Sequence, residues 1–382
     1  MEFFDYSVLK FIWWLLLGVL LIGFAIMDGQ DMGVGCLLPF VGKNDQERRV
    51  LINSVAPHWD GNQVWFITAG GAVFAAWPYV YATAFSGFYW AMMAVLWALF
   101  FRPVGFDYRS KINNATWRTS WDWGLFIGSF VPPLIFGVAF GNLLLGVPFH
   151  FTEDLRSFYT GSFWGLLNPF SLLCGVVSVS MIIFHGAIYL ALRSEKMIKQ
   201  RAKKASTIAL IVLLITFTLA GIWIKSGING YSMVAGSYLP NASPDPLNKQ
   251  VTVAVGAWLN NYMQHPILFI IPILAYLGFI LAWLLAKADK LFTAFWCSAL
   301  GLAGVIGTAG VAMFPFLMPS KSNLRSSLTV WDASSSETTL TIMLVVAIIF
   351  VPIVLLYTSW CYKVMRGKIT TDMIKKNDHS LY

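Results

Sequence analysis

One acidic residue, Asp60, stands inside a long apolar run, Ser54 to Trp77, within the stretch Ala56-Pro57-His58-Trp59-Asp60-Gly61-Asn62-Gln63-Val64-Trp65. At about 1.5 Å per residue the run is long enough to cross a bilayer. A carboxylate inside a membrane costs roughly 2.5–3.5 kcal/mol on insertion scales, so it is kept where it has polar partners and a task. His58, Asn62 and Gln63 flank it, and on a helix these polar groups point nearly all round. Such a helix end is expected to be packed inside protein. The chemistry on offer is proton exchange, because a desolvated carboxyl holds its proton closer to neutral pH than a solvated one.

Other charges gather at similar depth. Asp28 and Asp31 close the first apolar run in Met27-Asp28-Gly29-Gln30-Asp31-Met32-Gly33-Val34-Gly35, and Arg102 and Asp107 follow the third in Phe101-Arg102-Pro103-Val104-Gly105-Phe106-Asp107-Tyr108-Arg109. Two readings stand side by side. Acids and arginines at one depth can neutralise each other as a structural ion-pair network, or the acids can pass protons. Arg102 is expected to be structural, its planar guanidinium holding Asp28, Asp31 or Asp60 by a bidentate pair. The histidines are His58, His150, His185, His265 and His379. His58 and His185 lie at depths where a histidine could ligate haem iron, but no pair recurs at bundle spacing, which favours hydrogen-bonded packing. No P-loop, Cys/His metal cluster, nucleophile motif or dinucleotide fingerprint is present.

The elements that must hold these residues are membrane helices. Hydrophobic residues make up 58% of the 382 and charged ones 12%, a composition of integral membrane proteins. Nine apolar runs are long enough to span, at about 8–28, 54–77, 79–101, 122–146, 164–192, 205–225, 265–286, 291–317 and 337–362. The chain is read as one polytopic domain over residues 1–382. The first run is long, preceded by Glu2 and Asp5, and lacks a small-residue cleavage pattern, so it is expected to be a span rather than a removed leader. Twenty of the 26 lysines and arginines fall in loops after odd-numbered spans or in the C-terminal tail. The positive-inside rule then puts the N-terminus outside and the C-terminus in the cytoplasm. This bias, beside anionic lipid, accounts for the net charge of +8 with no nucleic acid involved.

Between the spans, Asn44 to Val50 reads as a short surface helix with Asn44 as its cap and Glu47 at the third position. The loop at about 226–264 reads as an irregular external cap, with Val251 to Leu259 a candidate helix. Cys36, Cys174, Cys297 and Cys361 have no metal spacing and are expected to be free thiols. A shared T-A-G-x-A-x-F pattern, Thr68 to Phe74 and Thr308 to Phe314, hints at a duplicated helical bundle, although small-residue faces recur in membrane helices.

Several of these segments resemble subunit II of the bacterial cytochrome bd quinol oxidases. They are Trp13-Trp14-Leu15-Leu16, Asp28 to Gly35, Pro57 to Trp65, Ala75 to Pro78, Phe85 to Tyr89, Phe101 to Arg109, Met313 to Phe316 and His379-Ser380-Leu381-Tyr382. The resemblance runs from end to end. It implies an all-α integral membrane protein with about nine transmembrane helices, arranged as two four-helix bundles plus a peripheral helix. It implies a haem-carrying subunit I that oxidises quinol and reduces dioxygen to water, with haem b and haem d on that partner, and often a small single-span accessory subunit. This chain would pack against lipid and subunit I in the bacterial inner membrane. Whether it binds a quinone itself stays open. By the same resemblance Asp60, Asp107, Lys111 and Tyr382 would form a cytoplasmic proton route, while Asp28, Asp31, Arg102 and His58 would serve structure. A proton-coupled secondary transporter is the alternative, since an intramembrane acid suits that class too.

Overall fold

Apolar runs with few breakers fold as helices that satisfy their own backbone polar groups, as a bilayer demands. The computed structural model describes residues 5–376. The helices are α1 Tyr6–Val41, α2 Asp45–Val55, α3 Trp59–Ala76, α4 Pro78–Gly87, α5 Tyr89–Leu99, α6 Phe101–Tyr108 and α7 Ala115–Leu145. They continue as α8 Pro169–Arg193, α9 Lys196–Ser226, α10 Asn260–Gln264, α11 Ile270–Lys287, α12 Leu291–Met313, α13 Glu337–Val364 and α14 Thr371–Lys376. Among the described residues eight helical segments are long and apolar enough to span, and the bent pair α3–α4 makes a ninth if it counts as one.

One bundle is α1, α3, α5–α6 and α7; the other is α8, α9, α11 and α12. They join where α8 packs on α1 and α7. Close approach of α1 and α8 depends on Gly33 and Gly186, since a Cβ built on Gly186 would lie 2.5 Å from the Gly33 backbone. Helix α8 is the most enclosed span, 67% of its apolar window buried, whereas α13 has 11% buried and rides on α1 and α3 as the peripheral helix.

Four boundaries differ from those read in the sequence. Helix α1 runs 36 residues, so Asp28 and Asp31 lie inside it rather than closing it. The surface helix capped by Asn44, whose Oδ1 accepts from the Glu47 amide at 2.9 Å, continues to Val55 and absorbs Ser54. The run 79–101 is not one rod. Trp77 is driven out of the helical region by the proline that follows it (φ −137°, ψ 72°), and Pro78 cannot donate to the preceding turn. Helix α4 therefore leaves α3 at 119°, and the span proper is Tyr89–Tyr108. Lastly, Val251–Val255 is a strand, β4, paired antiparallel with β3 (Asn229–Met233) rather than a helix.

The end of the molecule opposite α2 is closed by three small hairpins: β1–β2 (Phe149–Phe151, Ser157–Tyr159), β3–β4, and β5–β6 (Phe316–Met318, Leu328–Thr329). Buried side chains of β1, β5 and β6 form a second apolar core with Trp77 and Trp13, while Tyr231 and Val251 of β3–β4 join a third with Trp258 and Phe316. A buried ion pair ties this cap together: Lys249 Nζ lies 3.0 Å from Asp332 Oδ2, which also accepts from Thr329 Oγ1 at 2.6 Å. Burial pushes the Asp332 carboxyl up against the opposing pull of Lys249, and burial likewise holds Lys249 below its ordinary range. Lys10, wholly buried, donates to the carbonyls of Pro240 (2.8 Å), Ala242 (3.2 Å) and Trp331 (2.7 Å). The two T-A-G-x-A-x-F segments fall on α3 and α12, where the matching Ala72 and Ala312 are both buried and the matching Gly70 and Gly310 both lack a close neighbour.

Candidate functional site

The buried charges form two groups on the α2 side of the bundles. In the first, Arg102 of α6 reaches Asp28 of α1 in a bidentate pair, Nη1 to Oδ2 at 3.0 Å and Nη2 to Oδ1 at 2.5 Å. Both side chains are sealed from solvent, at 1% and 0% exposed. The guanidinium also lies over the Trp59 ring, 5.5 Å from its centroid, a cation–π contact that a less planar cation would fill poorly. Of the three acids offered to Arg102 by the sequence, Asp28 is the partner.

The second group surrounds Asp31. Its Oδ2 accepts from Asn62 Nδ2 at 2.7 Å, and its Oδ1 lies 3.6 Å from His58 Nδ1. His58 Nε2 is 2.9 Å from the Tyr189 hydroxyl of α8, and that hydroxyl donates to the Ser54 carbonyl at 3.1 Å. From α13, Tyr362 stacks on the His58 ring at 4.7 Å, and its hydroxyl accepts from Gln30 Nε2 (2.6 Å) and Asn62 Nδ2 (2.7 Å). Helix α13, otherwise lightly packed, is thus tethered to α1 and α3 through one phenol. Tyr189 and Tyr362 carry no sequence signal as partners, since the contacts join residues as much as 332 positions apart.

Asp60 is elsewhere. His58 and Asn62, four positions apart, share a helix face and turn inward, which puts Asp60, two positions from each, on the opposite face. It is exposed on the surface of this chain, as are Asp107 and Lys111. The expectation that the acid is enclosed by its sequence neighbours is therefore corrected: Asp31, not Asp60, has the polar company of His58 and Asn62. Asp60 follows Trp59 and Asp107 follows Phe106 in the chain, and those two rings meet at 5.3 Å where α3 touches α6. Tyr382 lies outside the described residues.

Beyond these groups, Arg109 and Arg48 converge on Asp122 at 2.6 and 2.8 Å, and Arg109 and Arg118 meet Asp45 at 3.0 and 2.8 Å. Glu47 accepts from both terminal nitrogens of Arg201 at 2.8 Å, which holds its carboxyl below the ordinary range. The exposed loop residue Asp289 is held down to about 2 by Lys203 and Lys199. His185 has both ring nitrogens engaged, Nδ1 with Ser298 Oγ at 2.7 Å and Nε2 with the Ile26 carbonyl at 3.1 Å. Among the described residues no three His, Cys, Asp or Glu side chains converge to hold a metal ion. His185 has no free ring nitrogen, and the rings of His58 and Tyr362 are stacked at 4.7 Å with His58 Nδ1 turned to Asp31, so neither histidine is set as a haem ligand.

Two joined helical bundles with a strapped peripheral helix, buried ion pairs and exposed acids define a polytopic subunit of a membrane complex. The chain belongs to the cytochrome bd terminal oxidase subunit II family, whose model matches residues 9–365. It is 60% identical over 378 residues to cytochrome bd-I ubiquinol oxidase subunit 2 of Escherichia coli (strain K12), covering 99% of this chain and 100% of that one. It is 56% identical over 379 residues to a probable cytochrome oxidase subunit 2 of Haemophilus influenzae, with 99% and 100% covered. Cytochrome bd ubiquinol oxidase subunit 2 of Bacillus subtilis is 31% identical over 359 residues, with 94% and 96% covered. The structure of bd oxidase from Geobacillus thermodenitrificans matches with a TM-score of 0.68 over 94% of this chain and 98% of that chain; at 13% identity it speaks for the fold. The chain is thus a multi-pass subunit of a bacterial respiratory oxidase, and a second subunit implies a first. The transporter alternative finds no support.

Proposed function

We propose that this subunit holds the haem subunit of a quinol:oxygen oxidoreductase in place and brings it protons from the cytoplasm. Quinol is the electron donor on this reading, as the names of the relatives state for those proteins, and dioxygen is reduced to water. Haem b and haem d belong to subunit I on this reading: both ring nitrogens of His185 are engaged, and His58 has Nε2 held at Tyr189 and Nδ1 turned to Asp31. A small single-span accessory subunit and bilayer lipid complete the surroundings. The N-terminus faces outward and the C-terminus the cytoplasm, as the basic loops require.

One observation carries the proton reading: Asp60 and Asp107 are exposed on this chain, each next in sequence to a ring of the Trp59–Phe106 contact, with Lys111 beyond them. A carboxylate facing lipid is expensive, so a surface with two of them is one to be covered by protein. Proton transfer then runs between the subunits, with Asp107, Lys111 and Tyr382 at the cytoplasmic mouth and Asp60 further in. Buried Asp28 and Arg102 neutralise each other and fix α1 against α6, so their part is positional.

The test is Asp60→Asn in the assembled oxidase. Asparagine keeps the size and hydrogen bonding but cannot carry a proton. The complex should assemble with its full haem complement and lose oxygen uptake. Turnover at the wild-type rate would remove Asp60 from the route, and loss of haem together with activity would assign it to the scaffold.

A further inference from the structure

We propose that His58 and Asp31 share a single proton, forming a proton-holding pair inside this subunit; its place inward of Asp60 on a transfer route rests on the reading above. The inference comes from counting hydrogens. The Tyr189 hydroxyl donates its one hydrogen to the Ser54 carbonyl, which can only accept. The Nε2 of His58, 2.9 Å from that oxygen, must then carry the hydrogen between them. In the neutral ring Nδ1 is therefore bare.

Its surroundings are short of hydrogens. Asn62 Nδ2 has two, and three acceptors crowd it: Asp31 Oδ2 at 2.7 Å, the Tyr362 oxygen at 2.7 Å and His58 Nδ1 at 3.2 Å. The Tyr362 hydroxyl lies 3.0 Å from Asn62 Oδ1 and 3.4 Å from His58 Nδ1, and its one hydrogen goes to the nearer acceptor. Asp31 Oδ1, fully buried, has no hydrogen-bond partner and faces Nδ1 at 3.6 Å. Two bare acceptors facing each other across that gap make room for one proton, and either atom can hold it.

The charges around the site lead to the same place. Asp28, one turn along α1, is already matched by Arg102. Arg193, on α8 beyond Tyr189, donates to the Met365 carbonyl at 2.8 Å and lies against the Tyr189 hydroxyl, so it reaches the site only through that phenol. Tyr189, Tyr362, Gln30 and Asn62 are neutral. An ionised Asp31 is left without a full counter-charge, and a buried carboxylate in that state is costly. Imidazole is the group in contact with it that can supply the positive charge. A proton arriving at Nδ1 turns two facing acceptors into an N–H···O bond and neutralises the pocket in one step.

Solid-state 15N NMR of the intact oxidase labelled with [15N]histidine tests this, with His58→Gln identifying the resonances by subtraction. The neutral form should carry hydrogen on Nε2, and acidification should add a population protonated at Nδ1 as well. In Asp31→Asn that population should fall at least tenfold at the same pH, because the carboxylate facing Nδ1 is gone. Equal Nδ1 protonation in Asp31→Asn and wild type would overturn the pairing. If that variant fails to assemble, the wild-type spectrum still decides, because a neutral ring with hydrogen on Nδ1 and a bare Nε2 contradicts the proposal. Asp60→Asn separates the two readings. Normal turnover with an unchanged His58 spectrum rejects the Asp60 route and leaves the pair standing, whereas lost turnover with no Nδ1 protonation at any pH rejects the pair alone.

Discussion

Replacing Arg102 by leucine should unsettle the subunit strongly. The guanidinium and the Asp28 carboxylate are both sealed, 1% and 0% exposed, and joined by two hydrogen bonds of 3.0 and 2.5 Å. Leucine leaves the carboxylate buried without its counter-charge, a loss of about 3–5 kcal/mol. Forfeiting the contact with Trp59 adds roughly 0.5–2 kcal/mol. Even about 3 kcal/mol shifts a folding ratio by more than a hundredfold, enough to exhaust much of the margin of an ordinary domain. The assay is the yield of haem-loaded complex from membranes, with its thermal inactivation rate, because an oligomeric membrane protein unfolds irreversibly. The double variant Asp28→Asn, Arg102→Leu is the decisive control. Removing both charges removes the stranded carboxylate, so the double variant should recover most of the yield. Wild-type yield and inactivation rate in Arg102→Leu would refute the argument, as would a double variant as poor as the single one.

Other consequences are open to measurement. Gly186→Leu should force α1 and α8 apart, because even a Cβ there lies 2.5 Å from the Gly33 backbone; assembled yield should collapse, and a normal yield would show that the crossing can relax. Asp289, held down to about 2 from its ordinary 3.8 by two lysines, adds stability that is complete above that ordinary value and lost as pH falls through about 2. Asp289→Asn should flatten this acid-side loss by a small amount that added salt abolishes; an unchanged acid profile at low salt would show that the contact adds nothing. Single cysteines introduced at Lys203 and in the 226–264 loop should report orientation. An impermeant thiol reagent on intact cells should label the loop and spare position 203, and the reverse pattern would invert the topology.

Much of this architecture is legible in the chain because hydropathy and helix length are coupled in a bilayer. Eight of the nine apolar runs correspond to a span with shifted ends, and the basic loops fall between them. The run 79–101 misleads because apolarity continues through a real break at Phe88, where α4 ends and α5 begins. Arg102 could be seen to need an acid, yet three were on offer, and only packing decides for Asp28. The case of Asp60 is instructive. Its neighbours His58 and Asn62 are two residues away, close in sequence but on the far side of the helix. The partners of Asp31 and His58 come from α8 and α13, at Tyr189 and Tyr362, too distant along the chain for spacing to connect them.

Lys10 sets a clock on synthesis. Its ammonium is buried in the first helix, yet its acceptors are the carbonyls of Pro240, Ala242 and Trp331, the last 321 residues downstream. At roughly 5–20 residues per second the ribosome needs on the order of 16–64 s to make that stretch. For all of that time the first helix carries a cation whose final coordination does not yet exist, so its outer turn must wait in water or among headgroups. The hairpin cap can close over it only after nearly the whole polypeptide has been inserted. A chain cut short before Trp331 would therefore leave an unsheltered lysine at its beginning, a defect at the N-terminus that reports how far translation has gone.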